Sequence, residues 1–264
     1  MDRRRDRIRC WVVRLFGGTR HGSDTVGHCL PPSAEIDERT LEQGLRQVEM
    51  LRQSGRVLEG GTLLDLGTCW QPTIPLVFFL AGCDDLVLVD RERVLDAELL
   101  TQTAMNLRSF SAEIAQRLGL EERDVRQKLR PPENATFFGV LRHFKMQYLA
   151  PCDLLETNLP IGSVDLVTSR AMLHRYSERY VKALLPVVAD LLKPDGLMCH
   201  CIDQTDSLEY IRLLKGASFE IKIEEFNPIL RVVPEDSDLV DDPSLLNSFL
   251  VAAPSRADQS AARH

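Results

Sequence analysis

The stretch from Thr62 to Asp90 limits what this chain can fold into. Thr62-Leu63-Leu64-Asp65-Leu66 has a short, almost wholly apolar strand pattern and Gly67 opens a turn. Ile74 to Ala81 reads as an apolar helix, and Leu86-Val87-Leu88-Val89 as a second strand that stops on Asp90. Strands with no polar face belong to a parallel sheet covered on both sides, and two of them bracketing a helix make a nucleotide-type βαβ half. Ligands of such a unit settle outside the carboxyl ends of the strands, where N–H groups of the turn and the helix start are free. Asp90 is placed to accept hydrogen bonds from ribose hydroxyls, which predicts an adenosine-containing ligand.

The turn selects among such ligands. A dinucleotide fingerprint needs G-x-G-x-x-G, so that backbone can approach a pyrophosphate. Gly67-Thr68-Cys69-Trp70-Gln71-Pro72 offers one glycine and a bulky Trp, which argues against a nicotinamide-dependent oxidoreductase. Asp65, two positions before Gly67, would repel a phosphate and attract an ammonium.

With 264 residues and 44% hydrophobic content, the chain is long enough for one α/β domain with decorations. Its net charge of −7 argues against a general nucleic-acid binder, which needs a basic surface. Seven scattered cysteines without a C-x-x-C pair suggest reduced thiols in a cytoplasmic compartment. No apolar run reaches the roughly 18 residues of a membrane span. His21, His28 and Cys29 lie close together but lack further ligands at suitable spacing, so no metal is expected; Cys199 and Cys201 face away from His200 on an alternating strand, which argues against zinc there too.

Residues 1–55 divide into a basic amphipathic helix, an irregular connector and a covering helix. Arg3, Arg4, Arg5, Arg7, Arg9 and Arg14 accompany an apolar stripe of Ile8, Trp11, Val12, Leu15 and Phe16. Such a helix packs on the protein body or on a partner, and the same pattern suits peripheral contact with an anionic membrane surface, such as the inner membrane face, through residues 3–16. Ser33 or Asp37 caps the covering helix, which runs to about Gln53 with Leu41, Leu45, Val48 and Leu51 buried; Glu42, Arg46 and Glu49 are expected to be solvated. Residues 56–254 form the main domain. Its long crossover, 91–146, holds a helix from Leu95 to Leu118, a charged segment from Glu121 to Arg130 and an aromatic helix from Thr136 to Phe144. Strands follow at Gln147–Ala150, Val164–Ser169, Leu197–Ile202, Phe219–Phe226 and Asn247–Ala253, with helices at Tyr180–Leu192 and Ser207–Lys215. An acidic loop lies at 234–242, and 255–264 reads as a disordered tail.

Asp65-x-Gly67, Asp90, Asp153 after the third strand, Gly162-Ser163-Val164-Asp165-Leu166-Val167 and Leu192-Lys193-Pro194-Asp195-Gly196 occur in an order that resembles the class I S-adenosylmethionine-dependent methyltransferases, of the type 11-like kind. The resemblance covers about Thr62 to Ala253. Cys69, Gln71 and Asp195 stand where the family carries glycines. The resemblance implies a Rossmann-like α/β fold with a mostly parallel seven-stranded sheet, an antiparallel last strand and helices on both faces. It implies S-adenosylmethionine as cofactor and direct in-line methyl transfer to a small-molecule or saccharide-type acceptor. Asp65 would serve the methionine ammonium, Gly67 the close backbone approach, Asp90 the ribose and Asp153 the adenine amine, with Thr68, Cys69, Arg91, Cys152 and Ser169 completing the cofactor site. Asp165 would be structural. His174, after the fourth strand, is the candidate general base, since its ordinary pKa lies near neutrality. The replaced glycines and the short Asp203–Leu208 segment leave a second reading open, a catalytically silent relative that keeps the fold as an interaction module.

Overall fold

A computed structural model describes residues 35–68, 71–170, 176–203, 207–228 and 246–255. The expected basic helix at 3–16, the connector after it, the acidic loop at 234–242 and nearly all of the tail lie outside the described residues.

Helix α1 (Glu38–Gln53) is capped by Asp37, whose carboxylate accepts from the Arg39 N–H at 3.1 Å and the Thr40 hydroxyl at 2.8 Å. Leu41, Leu45, Val48 and Leu51 form its buried stripe, as a 3.6-residue period requires. Strand β1 (Thr62–Leu66), helix α2 (Thr73–Leu80) and strand β2 (Asp85–Val89) make the expected βαβ unit, with β1 and β2 parallel. Every residue of α2 is buried, which accounts for its lack of a polar face.

The crossover that follows contains α3 (Ala97–Leu107), α4 (Ser111–Leu118), α5 (Glu122–Lys128) and α6 (Phe137–His143). The single helix expected over Leu95–Leu118 is therefore two. It starts at Ala97 because Asp96 caps it, and a 3-10 turn at Arg108–Phe110 breaks it where the Ser109 hydroxyl donates back to the Asn106 carbonyl at 2.6 Å.

Strands β3 (Met146–Leu149), β4 (Val164–Arg170), β5 (Leu192–Asp203), β6 (Phe219–Pro228) and β7 (Leu246–Pro254) complete a seven-stranded sheet of order β3-β2-β1-β4-β5-β7-β6. β7 runs antiparallel between β5 and β6; the other neighbouring pairs are parallel. Helices α7 (Glu178–Leu191) and α8 (Ser207–Gly216) pack over Leu64, Leu66, Val87 and Val167. On the opposite face α1, α2 and the inserted helices cover Leu63, Leu86, Leu88 and Leu166. Cys199 and Cys201 belong to that second face, so His200 points the other way, as alternation requires.

The expected turn at Lys193–Gly196 is a bulge inside β5: Leu192 pairs with Val164 and Leu197 with Leu166. Glycine is required at 196, where a Cβ would lie 3.0 Å from the Lys193 backbone. Asp195, in place of a family glycine, accepts from the Arg56 guanidinium at 2.7 Å, and that bond holds its carboxyl below the ordinary range.

Glu42, Arg46 and Glu49 are not simply solvated. Arg117 of α4 donates to Glu42 at 2.7 Å and to Glu49, while Arg46 donates to Glu49 at 2.9 Å and through Nε to Glu225 of β6 at 3.0 Å. Burial pushes Glu49 up, but the bonds from Arg117 and Arg46 more than offset it and leave its carboxyl lowered.

At the opposite edge of the sheet from the ligand-type turn, Asp165 joins β1, β4 and β5. Its carboxylate accepts from the Thr62 N–H at 2.9 Å, from Lys193 at 2.6 Å and from Arg56. Asp165→Ala would leave Nη2 of the mostly buried Arg56 guanidinium and a strand N–H without their acceptor. The expected loss is about 2–4 kcal/mol, read as a lower urea midpoint at unchanged m-value; a loss near zero would contradict this anchoring role.

Candidate functional site

The carboxyl ends of β1 to β3 are tied to one another by backbone. The Gly67 N–H donates to the Val89 carbonyl at 2.9 Å, the Asp90 N–H to the Leu149 carbonyl at 3.1 Å, and the Cys152 N–H to the Asp90 carbonyl at 2.9 Å. Gly67 has φ +75°, a conformation that any other residue would adopt at a cost. These ties draw Gly67, Arg91 and Cys152 around one cleft, whose apolar walls are Leu66, Val89, Leu154 and Leu184.

Asp153 bonds two residues that line this cleft, Arg91 and Tyr180, and its carboxylate accepts three hydrogen bonds. One carboxylate oxygen accepts from the Leu155 N–H at 3.0 Å and the Tyr180 hydroxyl at 2.6 Å, and the other from the Arg91 guanidinium at 3.3 Å. Tyr180 stacks on Tyr176 with ring centroids 4.5 Å apart, and the Arg91 guanidinium lies over both rings at 5.3 and 5.5 Å. Burial and then Asp153 push the Tyr180 hydroxyl up, so it stays a proton donor. Sequence reasoning missed both tyrosines. Their signal was an aromatic pair four residues apart at the start of α7.

The Asp90 carboxylate is buried beside Tyr148, whose hydroxyl also accepts from the Val94 N–H at 3.1 Å. Burial and then Asp90 raise the Tyr148 pKa. Asp65 is buried as well, and its oxygens accept from the hydroxyls of Thr68 and, at 2.8 Å, Thr168 of β4. Burial pushes Asp65 up to about 6; the two threonine bonds oppose that shift and the Asp90 charge adds to it. Gln71 turns its amide to the Glu35 carbonyl at 2.7 Å and does not line the cleft.

Ser169 lies below the surface, away from the residues that line the cleft. Its hydroxyl pairs with Nδ1 of His200 at 2.6 Å, and its carbonyl accepts from Gln47 of α1 at 3.2 Å. Burial alone lowers the His200 pKa to about 3, so the ring is neutral. Cys69 and His174 lie outside the described residues. Among the described residues, no helix is long and apolar enough to cross a membrane.

The strand order, with β7 antiparallel between β5 and β6 and the glycine turn at the end of β1, defines the class I methyltransferase fold. Solved structures share it. One is the Burkholderia thailandensis 1,6-didemethyltoxoflavin-N1-methyltransferase with 1,6-didemethyltoxoflavin and S-adenosylhomocysteine bound; the TM-score is 0.50 at 17% identity over 83% of this chain and 81% of that one. Another comes from the Haloferax volcanii complex between the Trm112 methyltransferase activator and a protein assigned as a methyltransferase, with TM-score 0.50 at 13% identity over 83% of this chain and 92% of that one. At these identities the likeness is one of fold. No family model matches the sequence, and no curated relative does.

Asp65 gives the site a pH signature. Its folded pKa of about 6 lies above the ordinary 3.8. Between those values the folded protein holds a proton that the unfolded chain has released, so this contribution to stability falls as pH rises through the window, by about 3 kcal/mol in all. An amide can satisfy both threonine hydroxyls without a charge. Asp65→Asn is therefore expected to be more stable than the parent at pH 8 and little changed at pH 4, as urea unfolding at the two pH values would show. A variant less stable than the parent at pH 8 would contradict it.

Proposed function

We propose that the chain transfers a methyl group from S-adenosylmethionine to a small-molecule or saccharide-type acceptor by direct in-line attack. The observation that carries this reading is the convergence of Gly67, Arg91 and Cys152, which lead out of three successive strands, on one cleft, with Asp90 and Asp153 next to them in the chain. The donor set fits an adenosine with a cationic tail. Gly67 permits close backbone approach, Asp90 suits ribose hydroxyls, Asp153 suits the exocyclic amine of adenine, and Cys152 and Leu154 offer apolar contact. Asp65 supplies negative charge on the methionine side through the Thr68 hydroxyl that it orients. Gln71, turned away to Glu35, leaves the cleft clear of its own side chain. Bound there, the cofactor would supply a methyl group on a sulfonium, and positioning of the acceptor accounts for much of the rate. His174 is the proposed base. Cys83, Cys152, Cys199 and Cys201, thiols outside any disulfide, suit a reducing cytoplasm, and residues 3–16 suit contact with an anionic membrane surface.

Isothermal calorimetry with S-adenosylmethionine and S-adenosylhomocysteine is the direct test. Binding at about micromolar affinity, weakened at least about tenfold in a folded Asp90→Ala protein, is the expected result. No heat with either ligand, from a protein shown to be folded, would favour the silent interaction module instead. The specific observation on that side is the Arg91–Asp153–Tyr180 cluster, which already spans the cleft.

Liposome flotation of the chain with and without residues 1–16 tests the membrane proposal. The full chain is expected to float with anionic vesicles and the shortened one to stay behind, whereas equal behaviour would remove the proposal.

A further inference from the structure

We propose that the Arg91 side chain is a built-in stand-in for the adenine base, and that its displacement sets the affinity and base selectivity of the cleft; this rests on the adenosine-cofactor reading above. A guanidinium shares with adenine the properties such a site would read. It is planar, it stacks on aromatic faces, and it presents N–H donors in its own plane. Arg91 has both an aromatic neighbourhood and an acceptor for its N–H groups. It lies over the rings of Tyr176 and Tyr180 at 5.5 and 5.3 Å and donates to Asp153 at 3.3 Å.

The acceptor it holds is the one a base amine would need. The other oxygen of Asp153 already accepts from the Leu155 N–H and the Tyr180 hydroxyl. A guanidinium within 5.5 Å of both ring centroids and bonded to the remaining oxygen takes up space and an acceptor that an incoming base would use, so the two compete. The contacts suit an exchangeable occupant. Arg91 makes one long bond to Asp153 rather than a bidentate pair, and its side chain is 26% exposed, so a rotation returns the charge to water. The position in sequence supports the coupling. Arg91 follows Asp90 directly, so a ribose held by Asp90 brings its base towards the place where the guanidinium lies.

Titration of the full chain with S-adenosylhomocysteine and with adenosine, for the parent, Arg91→Met and Arg91→Lys, tests the competition. Arg91→Met keeps much of the length and apolar contact and loses the planar donor. It is expected to bind both ligands about three- to tenfold tighter than the parent. Arg91→Lys, which keeps the charge and not the plane, is expected to fall between them. Tighter binding to adenosine alone locates the gain at the base end. Weaker binding by Arg91→Met would overturn the proposal and make Arg91 a clamp on the bound base, and equal binding would make it a bystander. Binding by the parent with no gain in the variants removes the stand-in and leaves the cofactor reading in place. No binding of either ligand by any folded chain removes both.

Discussion

The rest of the structure depends on the Asp165 carboxylate. It takes the first N–H of β1, the ammonium of Lys193 in the β5 bulge and the guanidinium of Arg56 ahead of β1. Three separate stretches of chain are thereby fixed at the amino edge of the sheet. Because parallel strands rise at a fixed step per residue, register set at that edge also sets where each strand ends at the other. The Gly67 turn, Asp90 and Cys152 emerge at matched heights because their strands start in register. The ion cluster is remote from the cleft, and it fixes β1, the strand that delivers Gly67, against β4 and β5.

At the carboxyl edge the same economy of groups recurs. Asp65 binds the turn after β1 to β4 through two threonine hydroxyls, so one buried acid shapes the loop beside the cleft and holds the strand next to it. Asp153 caps a 3-10 turn, anchors Tyr180 and faces Arg91. Neither acid is a bare charge waiting for a ligand. Each is already part of a hydrogen-bonded framework, and a ligand would enter by exchange with groups that are present.

Most of the architecture was legible in sequence because it rests on local pattern. Apolar runs located β1, β2 and β4 within a residue, and Asp37 was one of two cap positions expected for α1; the 193–196 segment, expected as a turn, is a bulge inside β5. Long-range pairing was not legible. The period of α1 shows that Glu42, Arg46 and Glu49 share a face, but their partners lie 75, 179 and 68 residues away, at distances that local pattern cannot reach. The pairing of Ser169 was not legible either. Its place near the end of β4 suggested the ligand edge, while the register pairs it with His200 and turns its side chain to that ring. The tyrosines over Arg91 were invisible for the same reason, since helical periodicity marks Tyr180 as buried without saying against what.

The sheet has two outer strands, and both are guarded. β3 is four residues long, too short to offer an extended ladder to another chain. β6 is longer, but it exposes Glu220, Lys222 and Glu224, and it carries a register shift at Lys222, between Ile221 and Ile223. A bulge twists an edge out of plane, and charges on it must be desolvated before a second strand can dock. Arg46 reaches from α1 to Glu225 on the same strand and restrains it further. The bulge and the charges thus set this long edge against sheet-to-sheet aggregation, a hazard that any open α/β sheet carries at its ends.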